Sequence, residues 1–505
     1  MKTMEKDISS MRSSLEFLKA EGDVMEIKEE ADPILEISAI TKSFDGGPVL
    51  LFDKVKGYPG VRDVSNVMAN ESIYPKLFDA SNDKEMMRRA HHALLNPIPP
   101  RVVEEAPAQE VVIKEDIDVF STLPILLHTE EDAGRILGGL NVLISGKYFD
   151  GGHEISFKRT HFQDRDWGTI MAGDSTHIGK IIKRFRPEPI PVTLNLCTPP
   201  AVLLAAGGTY LHAMIPFGSD ELGFAGGLQG YPVDIVKAKT VDAYAVAQAE
   251  WVVEGYIETA PTHWESEKAA QAGKWEVAPF FPEYTGYLGG SVKTSGFKVT
   301  AITHREDRPI FYSPLAHSFE GENLMRPFRA ASMYEWARRI TDPAFIADVN
   351  VLQGQKGLLG VVFQVSKSKP RFEGYQKTLL YNILTLPEAP QVGIAVDEDV
   401  DIYCAEDVIW AMTTRVNPET GIVRGWGDRH RQGNPMEDLS QISGLQGFYG
   451  IDATVPFDHP LKMVFRQGKY PVDKIDLKKW FTEEQIHAAR SRQCEYAKVI
   501  AKRGS

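Results

Sequence analysis

The chain has 505 residues, with 56 Lys and Arg against 69 Asp and Glu, and its formal net charge is −13. This acidic balance argues against a nucleic-acid-binding protein, which needs a basic face to offset phosphate charge. Hydrophobic residues make up 43% and charged residues 25%, a mix that excludes wholesale disorder. At this length we expect about two to four packed domains.

Three features of the sequence predict a cytoplasmic protein. No uncharged apolar run reaches the roughly 18 residues that a membrane span needs, so we expect no membrane insertion. Residues 1–17 mix both charge signs and lack the apolar core of a signal peptide. The three cysteines, Cys197, Cys404 and Cys494, lie far apart, which predicts neither a disulfide framework nor a zinc site.

The N-terminal part of the chain predicts helices and a strand. Apolar residues at helical spacing run from Ile8 to Leu18, and Gly22 ends this helix. A strand is predicted over 49–52 and a helix over 83–95. The proline-rich stretch 97–107 reads as a linker, which predicts a first domain over 1–115.

The middle of the chain, 116–335, is dominated by short alternating segments separated by glycine-rich turns. Strands are predicted at 140–145, 155–158, 192–195, 234–237 and 298–303. Two helices, at about 175–185 and 240–253, interrupt them. Many short strands with glycine turns predict a barrel or a sandwich.

The last third, 336–505, mixes buried strands with helices. Strands are predicted at 360–365 and 391–396. Thr482 and Gln485 form a capping box, which predicts a helix of about 20 residues to the C-terminus. Such a terminal helix packs either on a partner subunit or on its own domain. The fold class is therefore a multidomain mixture of α and β structure.

Sequence motifs for common chemistries are missing, and the densest polar region is 154–186. GxGxxG, GxxxxGK[ST], HExxH and GxSxG do not occur. Alternation places Arg159 on one face with Ile155 and Phe157, where a guanidinium needs an anion or a carboxylate. A structural salt bridge satisfies this need as well as a ligand does. His177 opens a basic helix, which is typical either of a phosphate site or of a solvated face.

Two glutamates are candidate functional residues, for different reasons. Glu221 lies in a glycine-rich turn, where a carboxylate is usually just exposed. Glu283 is flanked by apolar and aromatic residues, where burial would raise its pKa and make it a proton donor. Neither signal is specific alone.

Ordered segments along nearly the whole chain resemble the UbiD family of decarboxylases, which use prenylated flavin mononucleotide (prFMN). Arg159, followed eighteen residues later by His177, fits the flavin-site pattern of that family. The other matching segments are IDVFSTLPILLHTEEDAG (117–134), TPPAVLLAAG (198–207), DELGFAGGLQGYPVDIVKAKT (220–240), AEWVVEGYIE (249–258), PEYTGYLGG (282–290), ITHREDRPIFYS (302–313) and VDEDVDIYCAEDVIWAMTTR (396–415).

The resemblance implies a three-domain subunit whose central domain is a split β-barrel that binds the flavin. The domains would be an N-terminal α/β domain (1–115), the barrel (116–335) and a C-terminal α/β domain (336–505) with an oligomerising terminal helix. In the family a divalent ion, commonly Mn²⁺, joins the flavin phosphate to an Asn, a His and a Glu, and K⁺ binds nearby. His177 and Glu221 fall on the His and the Glu. Glu154 replaces the Asn, and a carboxylate also suits a hard cation.

The resemblance also implies the catalytic residues. Arg159 matches the family's arginine, which holds the substrate carboxylate or the flavin edge and so also belongs with His177 and Glu221 in cofactor binding. Glu283 matches the second of two acids, the proton donor at the carbon that loses CO₂. Ala278 stands where the first acid is expected. Glu276, two residues earlier, is a candidate replacement.

The implied function is reversible decarboxylation of an aromatic or heteroaromatic acid, including aryl-CoA thioesters, with CO₂ as the other small partner. A flavin prenyltransferase would supply prFMN, and the subunit would form a homo-oligomer, a dimer or a hexamer. A non-catalytic UbiD-like subunit of a multi-subunit aryl carboxylase is the alternative, because the first acid is missing. A flavin-free metal hydrolase is disfavoured, since no nucleophile or metal motif of that kind is present.

Overall fold

The computed structural model describes residues 6–211, 213–274, 279–386, 389–427, 446–457, 465, 468, 470–471 and 474–503. Among these residues the chain forms two compact units, one up to Ser332 and one from Met333 onward. The boundary lies within a long helix. Both units mix helices and strands, as the fold class predicted.

The helices of the described residues begin and end as follows. They are α1 Met11–Glu21, α2 Glu36–Ser43, α3 Asp83–Leu95, α4 Val119–Thr122, α5 His177–Phe185, α6 Pro200–Gly207, α7 Glu221–Gln229, α8 Glu267–Ala272, α9 Phe319–Ile340, α10 Tyr375–Leu384, α11 Ala405–Arg415, α12 Glu483–Ser491 and α13 Glu495–Arg503. None of them is both long enough and apolar enough to cross a membrane.

The strands of the described residues are mostly short. They are β1 Val24–Ala31, β2 Val49–Val55, β3 Arg62–Ser65, β4 Arg101–Val103, β5 Val111–Ile113, β6 Ile136–Leu137, β7 Leu140–Ser145, β8 His153–Phe157, β9 Thr160–Phe162, β10 Trp167–Ile170, β11 Ile190–Leu196, β12 Asp234–Lys237, β13 Tyr244–Val246, β14 Trp251–Trp264, β15 Pro279–Pro282, β16 Leu288–Gly290, β17 Lys293–His304, β18 Ile310–Tyr312, β19 Ile346–Asn350, β20 Gly360–Val365, β21 Val392–Asp397, β22 Ile422–Gly427 and β23 Gln446–Ala453.

A nine-stranded sheet is the centre of the first unit. Its order is β6-β9-β10-β17-β14-β11-β7-β8, and β5 pairs with β17. Strand β8 is at one end of this order and β9 is near the other, yet only two residues connect them. Six steps of about 4.8 Å would separate the two strands in a flat sheet, whereas the connection from Phe157 to Thr160 reaches about 11 Å. The sheet is therefore strongly curved, and Arg159 lies in the short connection.

Smaller sheets complete the two units. In the first unit the orders are β1-β2-β3-β18, β13-β12-β4 and β15-β16. The second unit contains one sheet of order β19-β20-β21-β23-β22. Its strands β20, β21 and β23 are parallel, and the two edge strands are antiparallel to their neighbours.

Capping residues are found at both ends of α1 and at the start of α3. Ser10 caps α1 through its side chain, and Gly22 ends that helix with φ of 83°, a left-handed conformation that glycine adopts without strain. Asn82 caps α3 by accepting from the Glu85 amide at 3.0 Å. The helices predicted for 8–18 and 83–95 are thus confirmed, as is that for 175–185, because α5 ends at Phe185.

Three local predictions are wrong. The helix predicted over 240–253 is replaced by β13 and the start of β14. Strand β13 pairs with β12, and the β-branched start of β14 pairs with β11 and β17 on both sides. The linker over 97–107 contains β4, which pairs in parallel with β12. The single C-terminal helix is two helices, and near the break the Ser491 hydroxyl donates to the Ala488 carbonyl at 3.0 Å, in competition with backbone bonding.

Candidate functional site

Three of the predicted site residues form one buried group, which we call the polar cluster: Glu154, His177 and Glu221. Glu154 lies on β8, while His177 and Glu221 are the first residues of α5 and α7. All three are buried. The exposed carboxylate that a glycine-rich turn suggests for Glu221 is therefore wrong, because Asp220 caps a helix there and turns Glu221 inward.

Hydrogen bonds join His177 to Glu221, and Glu221 to the strand that carries Glu154. His177 Nδ1 lies 2.9 Å from Glu221 Oε1, and the Ile155 amide donates to Glu221 Oε2 at 3.0 Å. The Ser156 hydroxyl donates to Glu154 Oε1 at 2.7 Å. The other carboxylate oxygen of Glu154 is buried and has no hydrogen-bond partner, which is costly for a polar atom in this environment.

A close backbone approach brings α7 to β8. A Cβ atom on Gly152 would lie 2.3 Å from the Gly218 carbonyl oxygen, so only glycine allows this contact. His153 and Asp220 then form an isolated parallel bridge, and their side chains meet at 3.1 Å. The chain that leads into α7 is thereby fixed against the strand that carries Glu154.

Burial changes the pKa of every residue in the polar cluster. Burial, together with the neighbouring charge of Glu221, raises the pKa of Glu154 to about 8. Burial also raises the pKa of Glu221 to about 8. Burial lowers the pKa of His177 to about 4, against the opposite effect of Glu154; the rings of Phe149 and Phe217 lie 5.1 and 5.9 Å from its imidazole. Without a cation the cluster is therefore mostly uncharged near neutral pH.

The donor chemistry of the polar cluster suits a divalent cation. One imidazole and two carboxylates supply nitrogen and hard oxygen donors, and Glu154 has an oxygen with no other partner. As the side chains lie, no group of three or more His, Cys, Asp or Glu in the described part of the chain converges tightly enough to hold a metal ion. The predicted metal ligands are thus neighbours, and their role as ligands stays a prediction.

A second group, which we call the arginine group, contains Arg159, Glu265, Glu283 and Phe280; Glu265 and Phe280 are buried, and the other two side chains are partly exposed. Arg159 donates from Nε and Nη2 to the two carboxylate oxygens of Glu265 at 3.0 and 2.8 Å. Its Nη1 donates to Glu283, and its Cζ lies 4.6 Å from the centre of the Phe280 ring. Burial disfavours the charged guanidinium, but the two carboxylates outweigh it, and the pKa of Arg159 is above its usual value.

Glu283 lies in the tight connection between β15 and β16. Its amide donates to the Tyr287 carbonyl at 2.8 Å, and a Cβ atom on Gly289 would lie 2.7 Å from the Glu283 side chain. A glycine at 289 therefore leaves the space that the carboxylate occupies. The Arg159 guanidinium contacts the Glu283 carboxylate, and the Phe280 ring lies against the same guanidinium.

The structure brings the predicted residues together in two groups. Glu154 of the polar cluster lies on β8, and Arg159 of the arginine group lies two residues after the end of that strand. Glu154 and Arg159 are five residues apart in sequence, so no more than about 18 Å separates their Cα atoms. Carboxylates satisfy Arg159, as the salt-bridge interpretation anticipated. Glu276 and Ala278 lie outside the described residues.

Glu265 is the residue that the sequence interpretation missed. It directly follows the long strand β14 and pairs with an arginine 106 positions earlier in the chain. The sequence indicated only that a buried guanidinium at 159 needs a carboxylate partner. It did not identify which acidic residue provides that carboxylate.

Family models match most of the chain. The N-terminal, Rift-related and C-terminal domains of 3-octaprenyl-4-hydroxybenzoate carboxy-lyase (UbiD) match residues 15–94, 101–317 and 322–430. The chain is similar to the gallate decarboxylase of Lactiplantibacillus plantarum, at 28% identity over 87% of this chain and 92% of the relative. It is also similar to the phenolic acid decarboxylase of Sedimentibacter hydroxybenzoicus, at 28% identity over 90% of this chain and 93% of the relative.

A solved structure is similar over nearly its full length. The UbiD-class enzyme HmfF of Pelotomaculum thermopropionicum, in complex with FMN, has a TM-score of 0.80 and 27% identity, and the similarity covers 94% of this chain and 100% of that one. An evolved dimeric form of HmfF in complex with prFMN covers the same shares of both chains, with 27% identity and a TM-score of 0.77. The matching models, the relatives and the shared fold together show that this chain belongs to the UbiD family.

Proposed function

We propose that this chain is a carboxy-lyase that decarboxylates an aromatic acid, reversibly and with prFMN. The named relatives are a gallate and a phenolic acid decarboxylase, which favours a phenolic acid as substrate. The contact between Arg159 and Glu283 is the observation that carries the proposal. It places a fixed positive charge, which a substrate carboxylate needs, beside the acid that would replace CO₂ with a proton.

In this proposal the arginine group binds the substrate and moves the proton. Arg159 attracts the substrate carboxylate and keeps the Glu283 side chain in place. Glu283 donates its proton to the ring carbon that loses CO₂, and it takes the proton back when the reaction runs toward carboxylation. The Phe280 ring, which packs against the guanidinium, excludes water from one side of Arg159.

The polar cluster is the proposed site for the metal and the flavin phosphate. His177 and Glu221 begin two helices that meet at their N-termini, where backbone N–H groups and helix dipoles favour an anion. Glu154, His177 and Glu221 would hold a divalent cation between them and the phosphate. When bound, prFMN would accept electron density from the aromatic ring, so that the bond to CO₂ breaks without a free aryl anion.

Several finer features are part of the proposal. The strong curvature of the nine-stranded sheet supports the split β-barrel over 116–335, flanked by domains over 1–115 and 336–505. We further propose Mn²⁺ as the divalent metal, a nearby K⁺, a homo-oligomer, a flavin prenyltransferase as the source of prFMN, and a cytoplasmic location. An aryl-CoA thioester stays an alternative form of the substrate.

Co-expression with a flavin prenyltransferase tests the proposal. The purified protein should show the absorbance of bound prFMN, contain a divalent metal, and release CO₂ from at least one phenolic acid in a panel that includes gallate. Protein expressed without the prenyltransferase should be inactive on the same panel.

The alternative is a non-catalytic subunit of a multi-subunit aryl carboxylase, and Ala278 at the first acid position favours it. Solvent deuterium exchange at the ring carbon of the product distinguishes the two functions. Protein with mature prFMN that shows no exchange with any acid of a broad panel would favour the subunit.

A further inference from the structure

The ion pair between Arg159 and Glu265 is buried and has two parallel hydrogen bonds. The side chains of Arg159 and Glu265 are 12% and 1% exposed. Paired N–H···O bonds of this kind fix the plane of a guanidinium as well as its position. Removal of one partner from such a pair leaves an uncompensated buried charge.

Glu265 is itself held in place by the backbone around it. Its amide donates to the Val292 carbonyl at 3.0 Å, and its Oε2 accepts from the Val292 amide at 2.9 Å. His161 Nδ1 lies 2.5 Å from the Glu265 carbonyl oxygen. Val292 therefore holds both the backbone and the carboxylate of Glu265 in place, without any bound ligand.

The two carboxylates use different parts of the guanidinium. Glu265 takes Nε and Nη2, whereas Glu283 contacts Nη1. With Glu265 present, the charge of Arg159 is balanced without Glu283. If Glu265 were uncharged, Glu283 would be the remaining counter-ion for Arg159 within the arginine group, and its hold on the proton that it donates would weaken further.

We propose that Glu265 is the positioning residue for Arg159 and takes the place that Ala278 leaves without an acid. Glu265 precedes Glu283 by 18 positions, against five for Ala278, and helix α8 lies between Glu265 and Glu283 in the chain. This inference rests on the proposed decarboxylase function, and it assigns to Glu265 the role for which Glu276 is the candidate from sequence alone.

The experiment compares the wild type with Glu265→Gln, Glu265→Asp, Glu276→Gln and Glu258→Gln, each loaded with prFMN. Glu258 is the matched control, because it lies on the same strand β14 and accepts a structural hydrogen bond from the Trp167 indole at 2.8 Å. Two readouts are measured: the rate at which phenylglyoxal labels Arg159, by peptide mass spectrometry, and kcat and KM for an acid that the wild type decarboxylates.

We expect Glu265→Gln to label several-fold faster at Arg159 and to lose about 100-fold in kcat, the size of effect that a misplaced catalytic group typically has. The KM should change little, and the content of bound flavin should match that of Glu258→Gln. Glu265→Asp, which keeps the charge, should recover at least a tenth of the wild-type kcat. Wild-type labelling and kcat in Glu265→Gln, or a comparable loss in Glu276→Gln alone, would overturn the assignment.

The labelling readout separates this inference from the proposed function. If the wild type decarboxylates no acid but Arg159 labels faster in Glu265→Gln than in Glu258→Gln, the proposed function fails and the positioning role stands. If labelling is equal in both variants, the positioning role fails whatever the activity. Should Glu265→Gln not fold, Arg159 in Glu265→Asp must label faster than in the wild type and in Glu258→Gln for the assignment to hold.

Discussion

His177 and Glu221 contact each other as the first residues of two helices, with Nδ1 2.9 Å from Oε1. They are 44 positions apart in sequence, and α6 lies between them in the chain. The two helix N-termini therefore meet at one buried point, and Glu154, which has a carboxylate oxygen without a partner, is near enough for its charge to act on His177. The first two predictions concern this point.

Replacing His177 with Ala should reduce the metal content and weaken flavin binding. Loss of a supporting residue around a metal typically lowers affinity by about 10–100-fold, and loss of a ligand should lower it at least as much. Metal is measured by plasma mass spectrometry and flavin by absorbance. His263→Ala is the control, because His263 lies on β14 and its ring packs at 4.9 Å against that of Trp167 on β10. Full metal and flavin in the His177 variant would show that the ligand assignment is wrong.

Replacing Glu154 should distinguish a metal ligand from a buried structural carboxylate. Glu154→Asn retains an oxygen donor and should keep the metal, whereas Glu154→Ala should lose it. Both changes remove the buried carboxylate, so a purely structural role predicts equal metal content in the two variants. Metal analysis of both proteins after identical purification decides between the roles.

Replacing Glu283 with Gln should abolish turnover while the cofactor stays bound. The amide keeps the size of the side chain but has no proton to give near neutral pH, and general acids typically contribute about 10²–10⁴-fold. Deuterium exchange at the ring carbon should fall with kcat, and flavin and metal should be retained. The double variant with Glu276→Gln shows whether Glu276 rescues the transfer. Undiminished exchange in that double variant contradicts the proton-donor role.

Glu320 should make the stability of the first unit depend on pH. Burial raises the pKa of Glu320 from 4.5 to about 7, although the Asn66 and Met68 amides and the Tyr312 hydroxyl donate to it. The folded state holds this proton more tightly than the unfolded state. The resulting stabilisation is therefore present below pH 4.5 and is lost as the pH rises through about 7. At about 1.4 kcal/mol per pKa unit, the free energy of unfolding falls by an amount on the order of 3 kcal/mol.

Glu320→Gln cannot ionise, so its thermal midpoint should rise relative to the wild type between pH 5 and pH 8. Differential scanning calorimetry at the two pH values measures this change. Glu16→Gln on α1 is an exposed control and should follow the wild type at both values. A constant difference between wild type and Glu320→Gln would show that Glu320 titrates in its ordinary range.

Local sequence patterns were enough to predict much of the secondary structure and to identify the family. The caps at Ser10 and Asn82, the glycine at 22 and the alternating strands of the middle third act over a few residues, so the sequence specifies them directly. Ordered motifs also identified five candidate residues that the structure describes, namely Arg159, Glu283, Glu154, His177 and Glu221. The sixth, Glu276, lies outside the described residues.

Only the tertiary structure decided the partners of these residues. Residues 244–246 and 251–264 form strands rather than the predicted helix, since β13 pairs with β12 and β14 pairs with β11 and β17. The curved sheet places Arg159 where Glu265 and Glu283 meet it, although they follow it by 106 and 124 positions. Burial, which sets the pKa of Glu154, His177 and Glu221, exists only after packing. Pairings over such distances depend on chain topology, and no local spacing in the sequence encodes them.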